Sequence, residues 1–112
     1  MPFINFNNLE RVKVWEGITG TVAHSDTMTY ARLRIKKGTV LQPHSHPHEQ
    51  WTHLLEGRLS FTIGDETQIL EHGMAAHIPS NVPHKIEALT ECFVIDCFTP
   101  VREEFKKLEV IG

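Results

Sequence analysis

The feature that most constrains the fold is a succession of short segments in which apolar and polar residues alternate. Residues 28–35 and 59–63 show the alternation most clearly, and Gly, Pro, Asn and Asp separate the segments. Because alternate side chains of a strand project to opposite faces, the pattern indicates strands with one buried face. Short strands at near-regular spacing favour an all-β sandwich or barrel. The predicted strands are 12–15, 21–24, 28–35, 50–55, 59–63, 67–70, 74–78, 84–89 and 92–98.

The turns between these segments predict some of the pairing. Gly64 and Asp65 favour a hairpin that joins strand 59–63 to the next one. We also expect the last two strands to form a hairpin, and residues 101–108 to form the one helical turn. No linker or repeat divides the chain, so residues 1–112 are interpreted as a single domain. In this interpretation 28–100 is the barrel core and 1–15 is an N-terminal arm or strand.

Composition excludes several classes of function. The chain has 112 residues and a net charge of −3, which does not favour binding to nucleic acid or to an anionic membrane. No apolar run approaches the length of about 20 residues that a membrane-spanning helix needs. Cys92 and Cys97 do not form a Cys-x-x-Cys pair and are interpreted as reduced thiols. These features and the absence of a signal-peptide pattern predict a cytoplasmic protein. Eight histidines are unusual and call for a chemical explanation.

Two histidines lie in a segment that is suited to metal binding. His44 and His46 are two residues apart, so in an extended chain they point the same way. A turn follows, and Gln50 can then bring an oxygen towards them. His84, between Pro83 and Lys85, is the best placed fourth ligand. Alone, the His-x-His pair would also fit a polar loop without an ion, and Glu49 could replace Gln50 if the turn were one residue tighter.

Alternation assigns the remaining side chains around this site. If Gln50 points into the barrel, Thr52 and Leu54 share its face, and Trp51 and His53 point outward. The other histidines are expected outside the ligand set. His24, His53 and His72 are predicted on the surface or in turns, His48 at a solvated turn, and His77 at the rim of the cavity rather than inside it.

A second group of functional side chains is predicted at the end of the last strand. Asp96 and Phe98 are two residues apart and share a face, and Arg102 follows just past Pro100. A buried acid in an apolar strand needs a partner. Arg102 could bind the carboxylate of a ligand through its two-pronged guanidinium group. Alternatively, Asp96 and Arg102 could form a salt bridge that closes the barrel, with Phe98 in the core.

The chain resembles the cupin superfamily through two motifs that cover most of residues 28–100. The first motif is Gly, five residues, His-x-His, three or four residues, Glu, six residues, Gly. The second is Gly, five residues, Pro-x-Gly, two residues, His, three residues, Asn. Gln50 stands at the usual Glu position, and Asn81 replaces a turn glycine. The residues at the motif positions are Gly38, His44, His46, Gln50 and Gly57 for the first motif, and Gly73, Pro79, Asn81, His84 and Ala88 for the second, with Ala88 in place of the final Asn. The resemblance implies a jelly-roll barrel with a metal ion in its mouth.

Within that superfamily, the chain resembles the small pectin-degradation cupins. The resemblance lies in the segments 44–50 and 96–105. It implies a metal held by His44, His46, His84 and Gln50, and the residues Asp96, Phe98 and Arg102 beside it. Thr52 stands where that group often has a Gln that lines the site.

The implied activity is the conversion of 4,5-unsaturated uronates, released from pectin or alginate, to their linear keto form. The expected cofactor is one divalent transition metal ion, such as Zn, Ni, Mn or Fe, and imidazole and amide ligands do not choose among them. The expected partners are a sugar-acid substrate and a second copy of the chain in a homodimer. The contacts could involve residues 1–15, Phe105 or the C-terminal tail. Two alternatives are a sugar-acid-binding cupin without catalysis and a cupin dioxygenase.

Overall fold

The computed structural model describes residues 2–112, and these form strands and two short 3₁₀ helices. The 3₁₀ helices span Phe6–Asn8 and Glu103–Lys107. The strands are β1 (Val12–Trp15), β2 (Ile18–His24), β3 (Thr29–Ile35), β4 (Val40–His44), β5 (Glu49–Glu56), β6 (Leu59–Ile63), β7 (Glu66–Leu70), β8 (Ala75–Ile78), β9 (His84–Ala88), β10 (Cys92–Thr99) and β11 (Glu109–Val110). The predicted helical turn within residues 101–108 is confirmed, but it is not the only one, since Phe6–Asn8 also forms a 3₁₀ helix. No helix in the described residues is long and apolar enough to cross a membrane.

The strands form two antiparallel sheets that enclose one core. The larger sheet has the order β11-β1-β2-β3-β10-β5-β8, and the smaller one has the order β4-β9-β6-β7. The apolar faces of both sheets meet in a single cluster, in which Leu54, Leu59 and Ile78 are completely buried. This arrangement confirms the predicted all-β jelly-roll barrel.

The pairing confirms one predicted hairpin and corrects another. Strands β6 and β7 form the predicted hairpin. Strands β9 and β10, however, are consecutive in the chain and lie in different sheets, so the predicted last hairpin is wrong. Strand β5 pairs with β8 and β10 and lies in the other sheet from β4. Turn residues specify where the chain reverses, whereas the burial of each apolar face decides which strand becomes the partner.

The alternation predicted for the strand after the histidines is confirmed. In β5, Gln50, Thr52 and Leu54 are buried, whereas Trp51 and His53 are exposed. Strand β10 pairs with β5 in a register that places Asp96 opposite Thr52 and Phe98 opposite Gln50. The central strands of the larger sheet therefore carry a row of polar groups into the barrel.

Candidate metal centre

Three histidines converge at one end of the barrel. His44 ends β4, His46 lies in the loop that follows, and His84 begins β9 opposite His44. One ring nitrogen from each histidine lies within 4.8 Å of those of the others. The ring centroids of His44 and His84 are 4.3 Å apart, and those of His46 and His84 are 4.8 Å apart. The structure therefore brings together the three histidines that the sequence selects.

The backbone fixes which nitrogen of each ring faces its neighbours. The Nδ1 atoms lie 3.2 Å from Gln42 O for His44, 3.0 Å from His48 O for His46, and 3.0 Å from Val82 O for His84. A carbonyl oxygen only accepts, so each neutral ring must carry its proton on Nδ1 and donate it there. The Nε2 lone pairs are then free, which is the tautomer that a metal-binding histidine needs.

Gln50 adds an oxygen from the opposite sheet. Its Nε2 donates to Thr52 Oγ1 at 2.9 Å, which orients the amide so that Oε1 lies 3.0 Å from His46 Nε2. With the proton of His46 on Nδ1, two acceptors face each other across this short distance. The nearby His84 Nε2 is buried without a hydrogen-bond partner. A cation between these atoms would satisfy all of them, so the residues present fit a divalent metal ion with imidazole and amide ligands.

Burial keeps two of the histidines in the neutral form. It lowers the pKa of His46, and the positive charge of Arg102 lowers it further. Burial also lowers the pKa of His84 to about 4, although its hydrogen bond to the Val82 carbonyl opposes the shift. Metal binding requires neutral imidazole, so this environment removes the competition from protons near neutral pH.

Two loops are tied together beneath the histidines. Asn81 has a φ of 65°, in the left-handed region that asparagine tolerates better than most residues. Its backbone N–H donates to His46 O at 2.8 Å, and Ser80 Oγ donates to Pro47 O at 2.6 Å. Asn81 in place of a turn glycine is therefore accommodated. The loop that precedes β9 and the loop that holds His46 support each other.

The outer face of the larger sheet holds two of the residues considered for the site. His77 Nε2 lies 2.6 Å from Glu49 Oε2, and the rings of Trp51 and His77 are 4.6 Å apart. Glu49 is exposed on the side of β5 opposite Gln50, so the structure does not support it as an alternative ligand. His77 is not among the residues that line the cavity, which corrects its expected position at the rim.

The remaining histidines lie outside the cluster. His53 and His72 are exposed, as predicted. His24 is half-buried, and its Nδ1 lies 2.8 Å from the hydroxyl of the buried Thr29. His48 is also half-buried, and its Nδ1 has no partner, so its expected solvated position is wrong. Its ring lies 5.5 Å from that of His46, on which it packs edge-on.

Asp96 points into the barrel beside the histidine cluster. Its Oδ1 is buried and has no hydrogen-bond partner. Burial raises the pKa of Asp96 to about 6, whereas the Thr52 hydroxyl and the charge of Arg102 act in the opposite direction. Of the opposed effects on this acid, burial is therefore the largest in the protein without a metal ion. A carboxyl group with this pKa can exchange a proton near neutral pH.

Arg102 is held between two aromatic rings. Its guanidinium carbon lies 4.8 Å from the centre of the Phe98 ring and 4.4 Å from that of the Phe105 ring. Its Nε lies 3.5 Å from Glu104 Oε1, so Arg102 pairs with Glu104 and does not form the salt bridge with Asp96 considered above. Phe105 is buried within the chain, which corrects its expected role in contacts with a second copy. Sequence reasoning missed Glu104, although it lies two residues after Arg102.

Most of these groups face one cavity inside the barrel, whereas His46 is not among the residues that line it. The cavity has a volume of about 460 Å³ and is lined by His44, His84, Gln50, Thr52, Asp96, Phe98 and Arg102. Aliphatic and aromatic side chains from both sheets line most of the remaining wall, and Gln42 and Glu104 add polar groups to it. The chain can therefore place a small molecule between a metal ion, a carboxyl group and a guanidinium group.

Comparison with known proteins identifies the family. Residues 31–98 match the cupin domain family. An RmlC-like cupin from Shewanella frigidimarina NCIMB 400 superposes with a TM-score of 0.87, over 94% of this chain and 96% of that chain, at 23% identity. KdgF from Halomonas sp. superposes with a TM-score of 0.83, over 92% of this chain and 96% of that chain, at 28% identity.

Comparison of the sequence with characterised proteins gives a match over a shorter part of the chain. Oxalate decarboxylase OxdC from Bacillus subtilis (strain 168) is 29% identical over 72 residues, which are 60% of this chain and 19% of that protein. The chain thus spans only a small part of that relative. The family match, the jelly-roll topology and the convergent histidines agree, and the chain belongs to the cupin domain family.

Proposed function

We propose that the protein is a metal-dependent enzyme that opens the ring of 4,5-unsaturated uronates and converts them to the linear keto form. The observation that carries this proposal is Asp96, an inward-facing acid whose Oδ1 has no partner, in a cavity that His44, His84, Gln50 and Arg102 also line. A protein that only binds a sugar acid has little need of such a group. The resemblance of segments 44–50 and 96–105 to the pectin-degradation cupins supports the choice of substrate, as does the likeness to KdgF.

The metal ligands proposed are His44, His46, His84 and Gln50. A divalent ion bound there would supply Lewis-acid polarisation of substrate oxygens and would lower their pKa. Arg102 binds the substrate carboxylate through paired hydrogen bonds. The rings of Phe98 and Phe105 hold its guanidinium group between them. Phe98 is buried against these groups and His46, so it supports the binding site from behind.

Asp96 moves the proton that the reaction requires. In ring opening, the anomeric hydroxyl loses its proton, the C1–O5 bond breaks, and C1 becomes an aldehyde. The electron pair leaves on O5, which takes up a proton and becomes the enol oxygen on C5. The enol then loses its O–H proton and gains a proton at C4, which gives the ketone. Asp96 carries protons between these oxygens and C4, and the sum consumes no water or oxidant.

Loss of ultraviolet absorbance tests this proposal directly. The C4=C5 bond of the substrate is conjugated with the carboxylate and absorbs, whereas the keto product lacks that bond. The zinc-loaded protein should accelerate the loss of absorbance without oxygen. Asp96→Asn should reduce the acceleration about 100-fold or more. Asp65→Asn, at an exposed turn, is the matched control and should retain full activity.

Two other outcomes would contradict the proposal. No acceleration with any unsaturated uronate, by protein shown to contain metal, would favour a binding protein. Oxygen consumption during turnover would favour a cupin dioxygenase.

A further inference from the structure

The backbone of Arg102 is held by a hydroxyl group from a distant strand. The Arg102 N–H donates to Thr29 Oγ1 at 2.8 Å, although the two residues are 73 positions apart in the chain. The Arg102 carbonyl oxygen accepts from the Phe105 N–H at 2.9 Å. Arg102 itself lies between β10 and the second 3₁₀ helix, outside the strand pairing. One bond to Thr29 and one to Phe105 therefore satisfy its two backbone polar groups.

The strands of the larger sheet place Thr29 at this contact. Thr29 begins β3 and lies opposite His24 of β2 on one side and Phe98 of β10 on the other. It is completely buried. Arg102 lines the cavity, whereas Thr29 is not among the lining residues. Thr29 therefore contacts Arg102 from behind and does not contact a molecule in the cavity.

His24 completes the hydrogen bonds of the Thr29 hydroxyl group. The Nδ1 atom of His24 lies 2.8 Å from Thr29 Oγ1. Because a backbone N–H can only donate, Oγ1 accepts from Arg102, and the hydroxyl proton remains to be donated. Burial lowers the pKa of His24, and the charge of Lys106 acts in the same direction, which favours a neutral ring that accepts this proton. The buried hydroxyl group then both accepts and donates, as buried polar groups require.

The position of this backbone matters for binding because the arginine side chain is long and has many rotamers. A guanidinium group binds a carboxylate through two parallel hydrogen bonds, which require a defined direction. The guanidinium carbon of Arg102 lies 4.8 Å from the centre of the Phe98 ring and 4.4 Å from that of the Phe105 ring. It reaches this place between the rings from the backbone position at which Thr29 holds it.

We propose that Thr29 is a positioning residue for Arg102. Its hydroxyl group anchors the backbone from which the guanidinium group reaches the carboxylate of the substrate. This inference rests on the proposed role of Arg102 in binding that carboxylate. It extends the proposed site to a residue that the substrate does not touch.

Nuclear magnetic resonance of zinc-loaded protein tests the inference without turnover. In the wild type, the rings of Phe98 and Phe105 should shift the Arg102 Nε–H signal. Thr29→Val removes the hydroxyl group and nearly keeps the shape, so this signal should move towards that of an arginine in water. The Arg102 amide should also exchange with solvent about 10-fold faster, because its N–H loses its acceptor. Unchanged Arg102 signals in folded Thr29→Val protein would overturn the inference.

Two further variants separate positioning from general loosening of the fold. Thr29→Ser retains the hydroxyl group and should restore the wild-type Arg102 signals. Thr90→Val is the matched control, because Thr90 Oγ1 accepts from the Arg58 N–H at 3.0 Å and neither residue lines the cavity. This variant loses the same kind of bond and should leave the Arg102 signals unchanged. Equal shifts in Thr29→Val and Thr90→Val would contradict the inference.

The ring-opening assay gives a second readout. Thr29→Val should raise KM about 10-fold and change kcat less than about threefold, since Arg102 contacts the carboxylate in the bound substrate as well as in the transition state. A lower kcat with an unchanged KM would contradict the proposed positioning of a binding group. Absence of ring opening in the wild type would refute the proposed function. The resonance experiment needs no substrate and would still decide the role of Thr29.

Discussion

Two adjacent residues of β5, Glu49 and Gln50, each place a side-chain oxygen beside a histidine, on opposite faces of the sheet. Inside the barrel, His46 Nε2 is 3.0 Å from Gln50 Oε1, and both residues are at most 7% exposed. Outside, His77 Nε2 is 2.6 Å from Glu49 Oε2, and the two side chains are 38% and 50% exposed. The oxygen partners are adjacent in sequence. Strand alternation alone sends one inward and the other outward.

The difference shows what turns a histidine–oxygen contact into a candidate metal site. The outer pair is a complete interaction between a carboxylate and an imidazole that can carry a proton, and water covers what is left. The inner pair places two acceptors together, lacks a proton to share, and has His44 and His84 beside it. The inner acceptors are buried away from water and lack a hydrogen-bond donor, and a cation can take the place of that donor.

Removing an inner histidine should cause the largest change, a loss of zinc affinity. His84→Ala should weaken zinc binding by more than about 100-fold, because even indirect support of a metal ligand is worth about 10–100-fold. The outer-face variant His77→Ala should bind zinc as the wild type does. Metal content after dialysis against buffered zinc measures both. Equal affinities in the two variants would remove the distinction between the inner and outer pairs.

Replacing the Gln50 amide by a carboxylate should cause the next largest change, in the stability of the protein with and without zinc. Gln50→Glu places a carboxylate inside the barrel, which should destabilise the metal-free protein by about 3 kcal/mol, because a buried charge is left without a partner. Zinc supplies that partner, so the rise in melting temperature on adding zinc should exceed that of the wild type. Thermal melting with and without a chelator provides the measurement. A zinc response no larger than in the wild type would argue against Gln50 as a ligand.

Neutralising the unpartnered inner acid should stabilise the metal-free protein, in a pH-dependent way. The folded protein holds the Asp96 proton more tightly than the unfolded chain does, because burial raises the pKa to about 6. Stability therefore falls as pH rises from about 4 to above 6, where the buried carboxyl group ionises. Asp96→Asn removes this cost, so its free energy of unfolding should exceed that of the wild type by about 1–3 kcal/mol at pH 7.

The same variant should gain much less at about pH 4, where Asp96 is protonated in the folded protein and only about half ionised in the unfolded chain. Denaturant titrations at both pH values measure the difference, and the histidines titrate alike in the two proteins. Asp65→Asn is again the control and should show no such difference. A constant gain at both pH values would contradict the assignment of the effect to the Asp96 charge.

Substitution of Glu49, on the outer face of the sheet, should cause the smallest change in stability and in zinc affinity. Glu49→Gln removes the acid that pairs with His77, but both side chains are largely in water. The change in the free energy of unfolding should be below about 1 kcal/mol, and zinc binding should not change. Denaturant titration and zinc titration of this variant provide the measurements. Loss of zinc affinity in this variant would indicate that Glu49 is a metal ligand after all.

Much of the candidate site could be predicted because it depends on local spacing. The two-residue separation of His44 and His46, and that of Asp96 and Phe98, specifies a shared face in any extended chain. The same alternation placed Gln50, Thr52 and Leu54 inside, and the structure agrees. The turn residues Gly64 and Asp65 were also sufficient to predict the β6–β7 hairpin.

Sequence reasoning failed where the outcome depends on distant partners. The positions of His77 and Phe105 follow from the neighbours that other strands bring to them, namely Glu49 and Phe98. Arg102 is a different case: its partner Glu104 is only two residues away, but its guanidinium group lies between the rings of Phe98 and Phe105, which the fold brings together. These choices reflect long-range packing and burial, which residue spacing does not specify.

The sequence by itself determined a barrel of short strands with two histidines, an amide and an acid on inward faces, because side-chain alternation is a local property of the backbone. Only the tertiary structure decided that β4 and β5 would face each other from different sheets. It also decided that burial would prevail over Arg102 in setting the pKa of Asp96, and that apolar side chains from both sheets would line the cavity beside the histidines. Cavity shape and desolvation arise from the packing of residues that are far apart in the chain, so they exist only once the sheets have closed.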